Sequence, residues 1–556
     1  MVSPSGTSYA LTLANNSVVV LSTTELEAKT HIVGVQSRRV DLQQQVQDRN
    51  ATRLNYDIFH PVPMAINPAA PNEVLLAVPS SQPRYKNDSR QPEPYLQTFD
   101  LANHRAKTRQ ALTRNHATEP NVAPEGDRIK EPDTRLIQIS HDGEWLATVD
   151  EWVPPVSDTS FLNEGVPEFK EEERLNRREV YLKFWRRSEQ HDQWKLESRI
   201  DAPHFFEDVC SHGRVFDLVA DPSGTGFATV GEDHVVRIWR PKTRRSDGVV
   251  VRGADKKGLV TWLLDRCTTI SDHLDVLEGS QQPLHPLTSR LAFSTDGSVL
   301  AVATSWASDS DLGVTHLIDT HSATIQRSMT EVDVTALSGL GFVGQYLVFV
   351  AGSLTVWDMV LDELVYCVPI HTPNIGRTER IPLIRFAVND ADNTFAIALP
   401  QFKKKAASAS TARQITSTLA IYDPNHSAPI WTNTSPITLA LAARKGERGY
   451  IALDSVSCIM AISPTSSGLQ LLTPPPEEKA ELRTAYEVED VDETADSRIG
   501  PITLTEDLSQ DLNEDAVVFN AQQLQDVLDH GPVPPPPQGL FSAVLALVGR
   551  PGRIAG

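Results

Sequence analysis

The stretch HGRVFDLVADPSGTGFATVGEDHVVRIW (212–239) decides the fold. Apolar and polar residues alternate through FDLVAD, FATVG and VVRIW, and Pro222-Ser223-Gly224 places a tight turn between the first two runs. Three short strands joined by tight turns make an antiparallel meander. Its ending recurs as YLQTFD (95–100), VYLKFW (180–185), THLID (315–319), LTVWD (354–358) and LAIYD (419–423), each an alternating run closing on an aromatic or Ile. The chain therefore repeats one strand-rich unit and gains its core by stacking copies of it.

Spacing inside the best copy carries more detail. Asp233 lies six residues before Trp239, Thr229 lies four before Asp233, and His212 opens the unit. A WD-type propeller blade uses that spacing for a buried hydrogen-bonded set, which satisfies its own polar groups and fixes one blade against the next. His212, Thr229, Asp233 and Trp239 are read as this structural set, with Trp185, Trp357 and Asp358 at equivalent strand endings. A His/Asp/Thr catalytic group is the rival reading, but the same residues already satisfy a repeat-wide pattern.

Strand–turn–strand pairs fill in the first half of each unit. RLIQISHDGEWLATVDEW (135–152) and SRLAFSTDGSVLAVATSW (289–306) each turn on Asp-Gly. Blades are expected near 57–110, 135–200, 204–250, 285–330, 334–370, 381–433 and 435–475, giving an all-β, seven-bladed WD40-type propeller over 46–475. The surplus length falls in polar loops at 81–95, 103–134, 154–179, 240–257 and 402–413. Residues 1–45 hold two further strands around Asn15-Asn16, resembling the last blade of an upstream propeller. The expectation is that Met1 is an internal start or the product of a shortened gene model, with more propeller before it.

Formal charge is −21, and its placement decides its meaning. Between Glu477 and Asp515 there are 14 acidic residues against Lys479, Arg483 and Arg498, so 11 of the net negative charges sit in one stretch. Residues 476–512 are read as an acidic disordered linker, and the rest of the chain is only mildly acidic. Within the tail, 513–556, NEDAVVFNAQQLQDVLDHG (513–531) sets Val517, Val518, Leu524, Val527 and Leu528 along one helical side for docking on a partner. Four scattered cysteines show no metal-ligand spacing, which fits a reducing compartment, and no metal or cofactor is expected. No apolar run reaches the ~20 residues that cross a bilayer as a helix.

GLGFVG (339–344) satisfies the dinucleotide fingerprint, but QYLVFVAGSLTVWD after it continues as strands where that motif needs a helix. Arg240, Lys242, Arg244, Arg245, Arg252, Lys256 and Lys257 form a basic cluster after a third strand. With Lys403, Lys404 and Lys405 they are the candidate RNA or phosphate contacts; a solvated loop is the alternative for each.

IQISHDGEWLATVDEW (137–152), followed after an insertion by VYLKFWRRSEQHDQWKLESRIDAPH (180–204), resembles the second propeller of one WD-repeat family. That family is the WD-repeat subunit of the UtpA, or t-UTP, subcomplex of the small-subunit processome, Nan-one in fungi and WD-repeat protein seventy-five in animals. The similar positions include Trp145, Leu182-Lys183-Phe184-Trp185, Trp194 and Ile200 to His204, and 3–37 resembles the blade before the junction of the family's two propellers. The resemblance implies a non-catalytic nucleolar scaffold that acts with other UtpA WD-repeat subunits on the pre-rRNA 5′ external transcribed spacer, supports pre-rRNA transcription and precedes docking of the U3 snoRNP. It implies no membrane and no small-molecule substrate. Lack of nearly the whole first propeller is a departure from the family. A generic WD40 interaction adaptor outside ribosome biogenesis shares the fold, and a propeller hydrolase would need carboxylates or histidines converging from innermost strands that here offer mainly apolar residues.

Overall fold

The computed structural model describes residues 7–35, 61–78, 95–112, 131–154, 173–188, 193–246, 248–252, 258–270, 286–306, 313–402, 415–463 and 470–471, apart from gaps of one to four residues within some of these spans. Two compact units divide the chain at Glu487 and Val488, and the second lies outside the described residues. The expected acidic linker and the helix at 513–530 lie outside them as well.

Seven four-stranded antiparallel sheets follow one another, each with its strands in chain order. Blade 1 runs from Met64 to Gln110, blade 2 from Asp133 to Asp201, blade 3 from Val215 to Thr269 and blade 4 from Pro286 to Met329. Blade 5 runs from Gly339 to Pro369, blade 6 from Arg385 to Pro436 and blade 7 from Thr438 to Leu471. The first strand of each blade touches the first strand of the next, and that of blade 7 touches that of blade 1, so the sheets close into a ring with the first strands innermost. The chain is a seven-bladed β-propeller.

Burial follows from that geometry. A second strand is covered on both faces by neighbouring blades, so Glu73–Val78 and Tyr450–Asp454 are buried at every position. A fourth strand forms the outer edge, and Thr324–Met329 alternates exposed and covered residues with the period of the pleat. Among the described residues no strand is shared across the ring closure. Blades 7 and 1 are joined there by side chains, with Leu439, Ile451, Leu453 and Ile459 packed on Val74, Leu76 and Phe99. Blades 2 and 3 meet through aromatic rings: Trp262 stacks on Phe184 at 4.2 Å and 6°, and meets Trp145 edge-on at 5.2 Å.

Two expectations are corrected. Blade 3 does not end near 250, because its third strand runs on to Thr243 and its fourth begins only at Val260. Residues 204–213 precede that blade as a separate short hairpin, Phe205–Phe206 against Ser211–His212. GLGFVG forms the strand Gly339–Val343 and the turn after it. A Cβ on Gly339 or Gly341 would lie 2.7 Å from Phe386 or 2.5 Å from Val388, so these glycines let blade 5 approach blade 6. Ahead of the ring, Ser8–Thr12, Ser17–Ser22 and Ala28–Val33 form a three-stranded sheet whose last strand touches the outer strand of blade 1.

Candidate nucleic-acid interface

The structural set of blade 3 comes first, because it fixes the strands that carry the interface. Trp239 Nε1 donates to Thr229 Oγ1 at 2.9 Å, Thr229 Oγ1 meets His204 Nε2 at 2.9 Å, and His204 Nδ1 meets Asp233 Oδ1 at 2.7 Å. The histidine is thus His204, not His212. His212 instead accepts from the Val180 backbone N–H of blade 2 at 2.9 Å, because the hairpin 205–212 separates the two and only His204 reaches over Gly231. Burial holds the His204 imidazole below its usual pKa, against the opposing pull of Asp233. Asp233 is also an acid with a lowered pKa: burial would raise it, but His204 and Arg237, whose Nη1 lies 2.6 Å from Oδ2, outweigh that. His204 and Thr229 have no solvent-exposed surface.

The other tryptophans show how the set varies. Trp185 donates to Thr148 Oγ1 at 3.2 Å, and Lys183 lies alongside with its Nζ 2.8 Å from Asp150. In blade 5 the threonine position is Phe349, so Trp357 turns its indole N–H outward to Asp362 Oδ1 at 3.1 Å. Asp358 ties off the following turn by accepting from Val360 N at 2.8 Å and Leu361 N at 3.0 Å.

Beyond Trp239 the two outer strands of blade 3 lengthen into an arm. Third and fourth strands pair from Val235↔Thr269 out to Thr243↔Val260. Between them Arg245–Ser246 pairs with Val249–Val250, and Arg252 bridges to Gly258. Arg244 N donates to Leu259 O at 2.8 Å and Val251 N donates to Arg244 O at 3.0 Å, which folds the turn back on the hairpin. From Arg240 to Gly258 the sequence has seven basic residues against Asp247 and Asp255, a net +5 on a chain of net −21.

The structure brings some of the expected phosphate contacts together and removes one. Lys242, Arg244, Arg245 and Arg252 are exposed along the arm. Arg240 is spent at its base, on Asp221 at 2.7 Å and Asp265 at 3.6 Å, because a buried carboxylate lies within its reach. Lys256, Lys257, Lys403, Lys404 and Lys405 lie outside the described residues, as do Val517, Val518, Leu524, Val527 and Leu528. A second basic group was not legible in the sequence. Arg135, Arg178 and Arg214 gather around Glu151 and Glu232, with Arg135 Nε to Glu151 at 2.9 Å and Arg178 Nη1 to Glu232 at 3.0 Å. Arg135 and Arg178 come from separate segments that meet on Glu151 within blade 2, and the docking of blade 3 adds Arg214 and Glu232. Among the described residues no group of His, Cys, Asp and Glu is arranged to hold a metal ion.

Fold and arm together define a WD40-type propeller scaffold with a basic projection. No family model matches the chain. It is 25% identical over 237 residues to U3 small nucleolar RNA-associated protein 17 of Schizosaccharomyces pombe, a match that takes in 42% of this chain. The chain spans about a quarter of that protein, 26% of its length. Among solved structures, Sqt1 of Saccharomyces cerevisiae has 11% identity and a TM-score of 0.40 over 74% of this chain and 85% of that one. The Dos1 propeller has 11% identity and a TM-score of 0.41 over 74% and 84%. Overlays this loose leave the fold resting on the strand topology itself.

Proposed function

We propose that this chain is a non-catalytic scaffold of early ribosome assembly in the nucleolus. In this reading it is the UtpA (t-UTP) WD-repeat subunit of the small-subunit processome. It binds the nascent pre-rRNA 5′ external transcribed spacer through the basic arm of blade 3 and other UtpA subunits through its tail, ahead of the U3 snoRNP. The observation that carries the reading is the arm: four exposed cations on the extended third and fourth strands of blade 3, on an otherwise acidic chain. The match to a protein named for its association with U3 small nucleolar RNA supports the setting.

Cations on a projecting hairpin can neutralise phosphates without desolvating a pocket, and each neutralised phosphate releases a counterion. Binding of single-stranded RNA should therefore weaken with salt, with a log–log slope of about −0.7 per contact. Filter binding of a 5′ spacer transcript to the full chain and to the triple variant R244E/R245E/R252E tests this. Loss of three contacts should flatten the slope by about 2; equal slopes would refute the arm as the RNA contact.

An adaptor outside ribosome assembly is the second reading, favoured by the bare apolar turn of blade 5, where Val360 is 73% and Leu361 66% exposed. Tail-dependent capture of the other UtpA subunits separates the two.

A further inference from the structure

Blades 5, 6 and 7 leave a cleft of about 630 Å³ between their turns. Blade 6 lines it with Asp392, from the turn between its first two strands, and with Asp423, from the turn after its third strand. Tyr346 of blade 5 and Arg448 of blade 7 come from the neighbours.

Each carboxylate is anchored by one oxygen and leaves the other weakly engaged. Asp392 Oδ2 accepts from Gly449 N at 2.9 Å, which fixes a side chain that is only 10% exposed. Its Oδ1 meets Arg448 Nε at 3.5 Å, and the Arg448 side chain is 78% exposed, so this is a loose pair of the kind that contributes little. Asp423 Oδ1 accepts from Asn425 N and Nδ2, both at 2.9 Å, while Oδ2 meets only the exposed His426, at 3.3 Å. Burial would raise the Asp423 pKa, but the hydrogen bonds from Asn425 and His426 outweigh it and hold the carboxyl below the usual range. Tyr346 Oη donates to Asn425 Oδ1 at 2.7 Å, which braces the Asp423 turn against blade 5.

We propose that this cleft receives an arginine side chain of a partner protein, whose guanidinium pairs with Asp392 in place of Arg448 while Asp423 supplies a second negative charge. Two pre-positioned carboxylates against one displaceable cation attract a cation and repel the phosphates of a nucleic acid. A guanidinium presents paired donors to a carboxylate and an ammonium only a point charge, so arginine is preferred over lysine. The cleft has room for the residues flanking that arginine and offers them Tyr346 and Ile430 on its wall, which favours a peptide segment over a free ion. None of these residues belongs to the blade 3 arm. The cleft therefore stands or falls independently of RNA binding there.

The test is saturation-transfer NMR of the capped peptide Gly-Arg-Gly with the full chain, beside its lysine and citrulline counterparts and the dinucleotide UpU. Saturable transfer to the arginine side-chain protons is expected, weaker for the lysine peptide and absent for citrulline and UpU. Asp392→Asn keeps the acceptor for Gly449 N but removes the charge, and should raise half-saturation by about 10-fold or more. Arg448→Ala removes the competing guanidinium and should lower it by up to about 5-fold, a gain that a merely structural pair would not give. If Asp392→Asn does not fold, Asp423→Asn is measured in the same way. No saturable response to the arginine peptide, an equal response to the citrulline peptide, an unchanged half-saturation in a folded Asn variant, or saturation by UpU instead of the peptide overturns the proposal.

Discussion

Replacing Lys183 with Met should destabilise the propeller more than any loss of packing at that site can explain. Lys183 is 2% and Asp150 0% exposed, and their charged atoms lie 2.8 Å apart. The lysine also donates to Leu112 O at 3.2 Å, which fastens the chain leaving blade 1 to the third strand of blade 2, and Thr134 Oγ1 donates to Asp150 at 2.9 Å. Methionine keeps the volume and the apolar stem, so the loss is electrostatic: a buried carboxylate is left with one hydroxyl partner. Removing one member of such a pair costs ~3–5 kcal/mol, against a total stability of ~5–15 kcal/mol for a typical domain. Adding Asp150→Asn removes the stranded charge while keeping an acceptor for Thr134, and should recover most of the loss. The coupling between the two changes is expected at ~2–3 kcal/mol. Urea denaturation followed by tryptophan fluorescence measures this, as a drop in midpoint with unchanged slope. A cost below ~0.5 kcal/mol for Lys183→Met, the size expected of an exposed pair, would refute the reasoning.

Acid should weaken blade 3 in a defined direction. His204 is held neutral in the folded state, so the unfolded chain binds the extra proton and the stability present above about pH 6.5 is lost as pH falls, by up to ~1.4 kcal/mol per pH unit; the lowered pKa of Asp233 adds a loss of the same sign only below about pH 4. Thermal midpoints of the unaltered chain and His204→Gln between pH 7.5 and 5 should converge toward the acid end, and parallel curves would remove the histidine from the account. Gly231→Ala places a Cβ 2.2 Å from the His204 ring and should cost ~1–3 kcal/mol through displacement of that ring; an unchanged melting curve would contradict the packing. Leu453→Ala, at the side-chain closure of blades 7 and 1, should cost ~2–5 kcal/mol. Early release of blade 7 and blade 1 amides in hydrogen exchange would mark the closure as the first point of opening, whereas uniform loss across the ring would not.

The fold was legible because its signal is local. Alternation, Asp-Gly turns at Asp142-Gly143 and Asp296-Gly297, and a recurring aromatic ending all lie within single strands, and both glycines take the positive φ the turns require, +74° and +73°. What misled lies between strands. His212 sits closer in sequence to the first strand of blade 3, but a hairpin can be inserted between a histidine and its blade, and only contact with Gly231 and Asp233 identifies His204. The end of blade 3 was hidden because a basic, Gly-containing run reads as loop even where it is paired; the buried Trp262 beyond it was the available clue.

The most direct test of the ribosome-assembly reading is cross-linking and sequencing of the RNA bound to the tagged full chain in cells, beside the R244E/R245E/R252E variant. The expected result is enrichment of the pre-rRNA 5′ external transcribed spacer, lost in the variant while its melting curve and its protein partners are retained. A background of unrelated transcripts, or the same spacer signal with the arm reversed in charge, would contradict it.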